Sequence, residues 1–191
     1  NVCPILNTRT GERRVQNFVA AYAKDPDVRY KSSSGGVFYL LAKQCIQKGG
    51  IVFGVAWDST LREARHIEVT DVSQLWQIQG SKYVQSDSNY SYLQAEKHLK
   101  EGFHVLYSGT PCQIAALKNF LGCQYDNLIT VEVVCHGVPS PGVLKQYLQE
   151  ISQENLCHVN FRDKEFGWRN FSLSIFKEEK LFIRESFKKN I

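Results

Sequence analysis

Apolar and polar positions along this chain follow two periods. Val37, Leu40, Leu41, Cys45 and Ile46 recur at helical spacing, and Gly49-Gly50 closes that run, as glycines do past a helix C-terminus. Residues 51–57 (IVFGVAW) are a short continuous apolar run, the mark of a buried strand, and a second short strand is expected around 65–69. Tyr92, Ala95, Glu96 and Leu99 share one helical face that ends at Gly102. The pattern then predicts a strand over 103–107, a helix through Ile114, Leu117 and Leu121 closed by Gly122, and a strand over 128–134 (LITVEVV). A further helix runs to Ile151, with Ser140 as its N-cap and Pro141 at its first position. Residues 18–23 (FVAAYA) read as a short strand. Near the end, 168–176 alternates with period two; a charged turn over 177–180 and a return over 181–184 predict a hairpin.

Strands alternating with helices of this length predict an α/β fold: a parallel or mixed sheet flanked by helices, with a C-terminal β-hairpin extension. Residues 1–17 lack periodicity and read as a tail or linker. Residues 18–191 read as one core domain, within the size that buries a real core. No internal repeat or low-complexity stretch interrupts it.

Composition narrows the class. With 43% hydrophobic and 22% charged residues, the chain is ordinary globular material rather than disordered. The net charge of +4 is mild and no Lys/Arg block occurs, so nucleic acid is not an expected partner. No apolar run approaches the roughly eighteen residues of a membrane span. The start, Asn-Val-Cys-Pro, has neither the charged nor the apolar region of a signal peptide. Six cysteines without a secretory signal read as reduced thiols in a cytoplasmic protein. The chain contains no methionine, not even at its start, which leaves two readings open, a fragment or a sequence with residues missing; the core is expected to be truncated at both ends.

Five segments carry candidate chemistry. Ser108-Gly109-Thr110-Pro111-Cys112-Gln113 lies between a strand and a helix, where open α/β sheets bind ligands. Helix N–H groups there favour the thiolate form that binds iron. The bland alternative for Cys112 is a small buried residue in a helix cap. Cys135 and His136 also follow a strand; if the two strands are neighbours, Cys112 and Cys135 share one sheet edge, suiting a metal centre or a redox pair. A turn histidine held by hydrogen bonds is the plainer reading of His136. Ser32-Ser33-Ser34-Gly35-Gly36 precedes a helix and suits a phosphate, though serine and glycine caps are common structural features. Ser81, Lys82 and Tyr83 could grip a phosphate and stack on a ring, or form a solvated loop. Cys3-Pro4 matches the close of a bacterial ferredoxin motif. Cys45 reads as core, and Cys123 and Cys157 as incidental.

SSSGG, GSKYVQS, SGTPCQIAALKNFLG and CHGVPSP occur in that order. Together they resemble the bacterial branch of the coenzyme F420 hydrogenase/dehydrogenase beta-subunit family, over roughly residues 20–175. The resemblance implies an iron–sulfur flavoprotein oxidoreductase that moves electrons between 4Fe-4S clusters and FAD, toward or from an unidentified small-molecule acceptor. F420 fills that place in archaeal relatives. It implies that Cys112 and Cys135 ligate a cluster, with Cys3 belonging to an upstream ferredoxin segment that is fused or replaced by a ferredoxin-type donor. FAD would meet Ser33, Ser34, Gly35 and Gly36 at its phosphates, and Ser81, Lys82, Tyr83, Thr110, Gln113 and His136 elsewhere. The further cluster ligands expected from a later C-x-x-C pair do not occur in this sequence. The alternative reading is a catalytically degenerate scaffold that binds a redox partner; a Cys112–His136 nucleophile pair is a third.

Overall fold

The computed structural model describes residues 3, 5, 6, 17–58, 61, 63–88, 90–152 and 156–186. Most of the expected tail, Pro4 included, lies outside them. Five helices are described: α1 (Pro26–Lys31), α2 (Val37–Gln47), α3 (Ser91–Lys100), α4 (Pro111–Leu121) and α5 (Pro141–Ile151). The strands are β1 (Ile51–Trp57), β2 (Ala64–Val69), β3 (Ser86–Asp87), β4 (Val105–Gly109), β5 (Leu128–Glu132), β6 (His158–Asp163), β7 (Ser172–Lys177) and β8 (Lys180–Ser186). None of the described helices is long and apolar enough to cross a membrane.

β1 to β5 form one mixed sheet in the order β3-β2-β1-β4-β5. β1, β4 and β5 run parallel, while β2 returns antiparallel to β1. Side chains alternate across this sheet as strand geometry requires. Ile51, Phe53, Val105 and Tyr107 face α3 and α4, where Ala95, Leu99, Ile114, Leu117 and Leu121 meet them. Val52, Ala56 and Leu106 face the other way, against Ala42 and Cys45 of α2 and against Leu75 and Ile78. Both faces of β1 and β4 are therefore covered, which is why their sequences read as continuous apolar runs. Cys45 is core, as its place on an apolar helical face predicts, and burial raises its thiol pKa.

Three features differ from the sequence expectation. Residues 18–23 form no strand: Phe18 and Val19 are 90% and 86% exposed, and only Ala23 is pinned, donating to Gly35 O at 2.7 Å. Helix α1 follows instead, started by Asp25, whose carboxylate accepts the Asp27 N–H at 2.8 Å, and by Pro26. The strand expected at 103–107 runs two residues later. Finally, the C-terminal hairpin has a third strand, giving an antiparallel sheet in the order β6-β7-β8. β6 (HVNFRD) carries too many polar residues to stand out by apolar content. The β7–β8 turn is two residues, Glu178 and Glu179, at φ of 47° and 63°. Two positive φ values give the twist that matches the flanking strands.

Val159, Phe161 and Ile175 of this second sheet pack with Leu144 and Leu148 of α5 and with Ala64 and Val84 beside the first. That cluster leaves a cavity between the second sheet and the loops at the end of β1.

Candidate functional site

From β1 the chain builds outward in both directions, through β2 and β3 on one side and β4 and β5 on the other. Ligands in open α/β sheets bind outside the carboxyl ends of strands where the order diverges. At that edge lie Asp58 after β1, Thr110 and Cys112 after β4, and Cys135 after β5.

After β1 there is a cavity of about 710 Å³, within the usual range for a small-molecule site. Ser33, Ser81, Lys82, Arg162 and Lys164 line it. Ser33 Oγ accepts from the Ser81 N–H at 2.7 Å and from the Ser81 hydroxyl at 2.8 Å, so two motifs far apart in sequence meet at one point. Lys82 Nζ donates to the carbonyls of Gln77, Gln79 and Gly80 at 3.0, 3.1 and 3.4 Å. Burial pushes its pKa down to about 7, while those carbonyls favour the ammonium. Lys82 thus secures its own loop.

Residues missed by sequence reasoning complete the lining. Lys164 is 6% exposed; its ammonium donates to Arg29 O at 2.8 Å and to Ser32 O, and sits 3.6 Å from the Trp168 ring centre. Burial, then the charge of Arg162, lowers its pKa to about 8. Burial alone would raise the Asp163 carboxyl pKa. Hydrogen bonds from Ser174 and the Glu165 N–H, with the Arg184 guanidinium at 2.8 Å, outweigh burial and hold it below the usual value. Burial lowers the His158 pKa, with Lys82's charge adding to the effect. Cys157, read as incidental, also lines this cavity. The sequence showed only an Arg-Asp-Lys run (162–164) at the end of a strand-period segment, with nothing to mark its direction.

The other predicted cofactor residues take different places. Ser34 is exposed and away from the cavity lining. Gly35 and Gly36 pack inward: a Cβ on Gly35 would meet Ala21 O at 2.9 Å, and Gly36, at φ 83°, has Val28 Cγ1 3.0 Å from the equivalent point. Tyr83 packs at a tilt against Phe161 and accepts from Arg162 Nη1 at 3.3 Å. Thr110 and Gln113 form a capping box at the start of α4, the Thr110 N–H donating to Gln113 Oε1 at 3.0 Å. His136 is exposed.

β4 and β5 are adjacent and parallel, with Gly109 opposite Glu132, so Cys112 and Cys135 each follow a neighbouring strand end by three residues. Cys112 is exposed, its Sγ 3.1 Å from Thr110 Oγ1; Cys135 is partly exposed, its Sγ accepting from the Gly137 N–H at 3.3 Å. Cys3 is partly exposed, and backbone hydrogen bonds from Leu6 and Ile5 lower its pKa. Among the described residues no three His, Cys, Asp or Glu side chains gather closely enough to hold a metal ion, so Cys3 does not complete a ligand set with the other two. The donor chemistry, two thiols on adjacent loops, suits half of an iron–sulfur ligand set.

One segment joins these places. Ser81 bonds Ser33 at the cavity; the Gln85 N–H donates to Pro139 O at 3.1 Å; Ser86 Oγ accepts from Gln113 Nε2 at 2.9 Å. Residues 80–87 thus tie the serine loop to the loops bearing Cys112 and Cys135.

Two family models match the chain: coenzyme F420 hydrogenase/dehydrogenase, beta subunit N-term, over residues 18–94, and the corresponding C terminus over residues 103–187. No curated protein matches. Among solved structures, a chain of the F420-reducing NiFe hydrogenase complex from Methanosarcina barkeri is similar, with a TM-score of 0.58 and 14% identity over 88% of this chain. The match spans 59% of that hydrogenase chain, and at this identity it shows a shared fold. With both halves of the family model matched in order along its length, the chain belongs to the coenzyme F420 hydrogenase/dehydrogenase beta-subunit family.

Proposed function

We propose that this chain forms the core of an iron–sulfur flavoprotein oxidoreductase, with FAD in the cavity beyond β1 and a 4Fe-4S cluster at Cys112 and Cys135. The observation that supports this best is segment 80–87, which bonds to the cavity loop at Ser33 and to the cysteine-bearing loops at Gln113 and Pro139. FAD, when bound, supplies the exchange between electron pairs and single electrons. The protein's own residues bind and orient. Ser33 and Ser81 line the cavity with their hydroxyls, Tyr30, Trp57 and Trp76 add aromatic lining, and the second sheet contributes His158, Arg162 and Phe176. Cys112 and Cys135 offer two thiolates from adjacent loops. The remaining ligands would come from outside the described residues, and a ferredoxin-type donor, fused or separate, would deliver electrons to that edge. The acceptor is a small molecule of the F420 type or another two-electron carrier.

The test is made on anaerobically purified full-length protein. It should carry flavin that is released as FAD on denaturation. Ser33→Ala should lower its occupancy; Gly36 is a poor probe, since any side chain there collides with α1 and residue 23. Cys112→Ser or Cys135→Ser should each remove one cluster's worth of iron, by iron quantitation and electron paramagnetic resonance, and leave any ferredoxin-type clusters intact. Colourless protein with full iron in both cysteine variants would defeat the reading. The second reading, a partner-binding scaffold without cofactors, draws on the two-thiol count at the sheet edge. It predicts neither flavin nor loss of iron in the variants.

A further inference from the structure

The cavity is electrostatically unbalanced. Lys31, Lys82, Arg162, Lys164 and Arg184 line it, against the carboxylates Asp58, Asp163 and Glu165. Most of the cations are already occupied. Lys82 donates to three backbone carbonyls, Lys164 to two while resting on Trp168, and Arg184 to Asp163 and Ser174. Lys31 is exposed. Arg162 differs. Its Nη1 donates to Tyr83 OH at 3.3 Å and its guanidinium lies 4.1 Å from the Phe171 ring centre, both neutral partners. Its Nε is buried and has no hydrogen-bond partner among the described residues. A buried guanidinium N–H without an acceptor is costly, and a planar fork held between a ring and a hydroxyl is pre-organised for a bidentate oxyanion. Of the three carboxylates, Asp163 is already engaged by Arg184, Asp58 accepts the Glu63 N–H, and Glu165 lies exposed.

Aromatic side chains line the same cavity. Trp76 and Tyr30 line it while remaining 69% and 57% exposed, which puts them at its rim. Cations and exposed aromatic rings in one space of about 710 Å³ match a ligand that carries both a phosphate and a flat ring.

We infer that Arg162 is the anion seat of this cavity, holding a phosphate group of a ring-bearing nucleotide whose ring lies toward Trp76 and Tyr30. This deepens the flavin reading by placing the phosphate end of the ligand on β6 rather than on the serine loop. The anion seat itself does not require the ring to be a flavin. Inorganic pyrophosphate, ADP and FAD are titrated separately into the full chain by calorimetry, for wild type, Arg162→Met and Arg162→Lys. Wild type binds pyrophosphate and ADP; Arg162→Met weakens both by roughly ten- to a hundredfold, the effect of losing a charge-assisted hydrogen bond. Arg162→Lys keeps the charge but not the fork and falls between them. If Arg162→Met melts, as checked by thermal unfolding, the lysine variant alone decides, and wild-type affinity in it overturns the proposal. Pyrophosphate binding that depends on Arg162 without any FAD binding upholds the seat and defeats the flavin reading. FAD binding that ignores both Arg162 variants does the reverse.

Discussion

The two sheets of this molecule are held together by different physics. The first, β1 to β5, has its central strands β1 and β4 covered on both faces by apolar side chains; Phe53, Val105, Leu106 and Tyr107 are wholly buried. Its buried polar contacts among the described residues, such as Tyr107 OH with Ser91 Oγ at 2.7 Å and His66 Nε2 with Ser108 O at 3.0 Å, join no pair of oppositely charged side chains. The second, β6 to β8, buries Asp163, Lys164, Ser172 and Ser174 beside Val159, Phe161 and Ile175. There Asp163 takes hydrogen bonds from Ser174, from both Nε and Nη2 of Arg184, and from the Glu165 N–H. Burial of apolar area is non-directional and tolerates small displacements. A buried charge network fixes one geometry and fails if a single member is removed. The cavity lies where the two meet. One wall is the directional sheet, which suits groups that must be aimed; the floor is the insensitive one, which suits a support.

That contrast can be broken from either side. Phe53→Ala should cost about 3–5 kcal/mol by denaturant unfolding, the effect of emptying a fully buried aromatic site. Protection from hydrogen exchange should fall across the whole first sheet. Asp163→Ala should cost roughly 3 kcal/mol, because it leaves the largely buried Arg184 guanidinium uncompensated. Here the loss of exchange protection should concentrate in 156–186; an equal loss across β1 and β4 would show that the sheets are not separable in this way. The same carboxylate sets an acid limb. Its folded pKa lies below the unfolded value of 3.8, so its contribution is present above that value and is lost as pH falls through the folded pKa. Asp163→Asn should flatten that limb in melts taken across the acid range. Gly54→Ala probes packing against the first sheet: the added Cβ would stand 2.8 Å from Ile78 Cβ, and overpacking of this kind costs about 1–3 kcal/mol. The smallest effect has the opposite sign. Replacing Glu178-Glu179 by Asn-Gly, residues that accept positive φ, should stabilise the second sheet by roughly 0.5–2 kcal/mol, read as a rise in midpoint.

The same contrast explains what was legible beforehand. β1, β4, β5 and helices α2 to α4 declare themselves by their apolar pattern, α5 by its Ser140-Pro141 start, and α4 also carries its capping pair in Thr110 and Gln113. The adjacency of β4 and β5, and so the shared edge of Cys112 and Cys135, followed from the strand–helix–strand order. Ser33, Ser81 and Lys82 were found by motif and do line one cavity. Arg162, Lys164 and the Asp163–Arg184 pair were not foreseen. Their importance comes from burial on an inward-facing polar sheet, and a charged residue in an unmarked strand looks the same whether it points to solvent or inward. Gly35 and Gly36 were read for ligand approach, whereas the atoms that crowd them are the chain's own residues 21–23 and 28. Residues 18–23 misled because β-propensity without a partner strand does not make a strand.

Segment 80–87 makes the cavity and the cysteine edge a single mutational target. A change at Ser81 acts directly on Ser33, and a change at Ser86 acts directly on Gln113, one residue from the end of the same short stretch. Because the contacts at Ser81, Gln85 and Ser86 follow so closely in sequence, little chain stands between one and the next to absorb a displacement. Variation that improves one site is therefore screened against damage to the other. Transplanting either site into another scaffold would require carrying these eight residues with it.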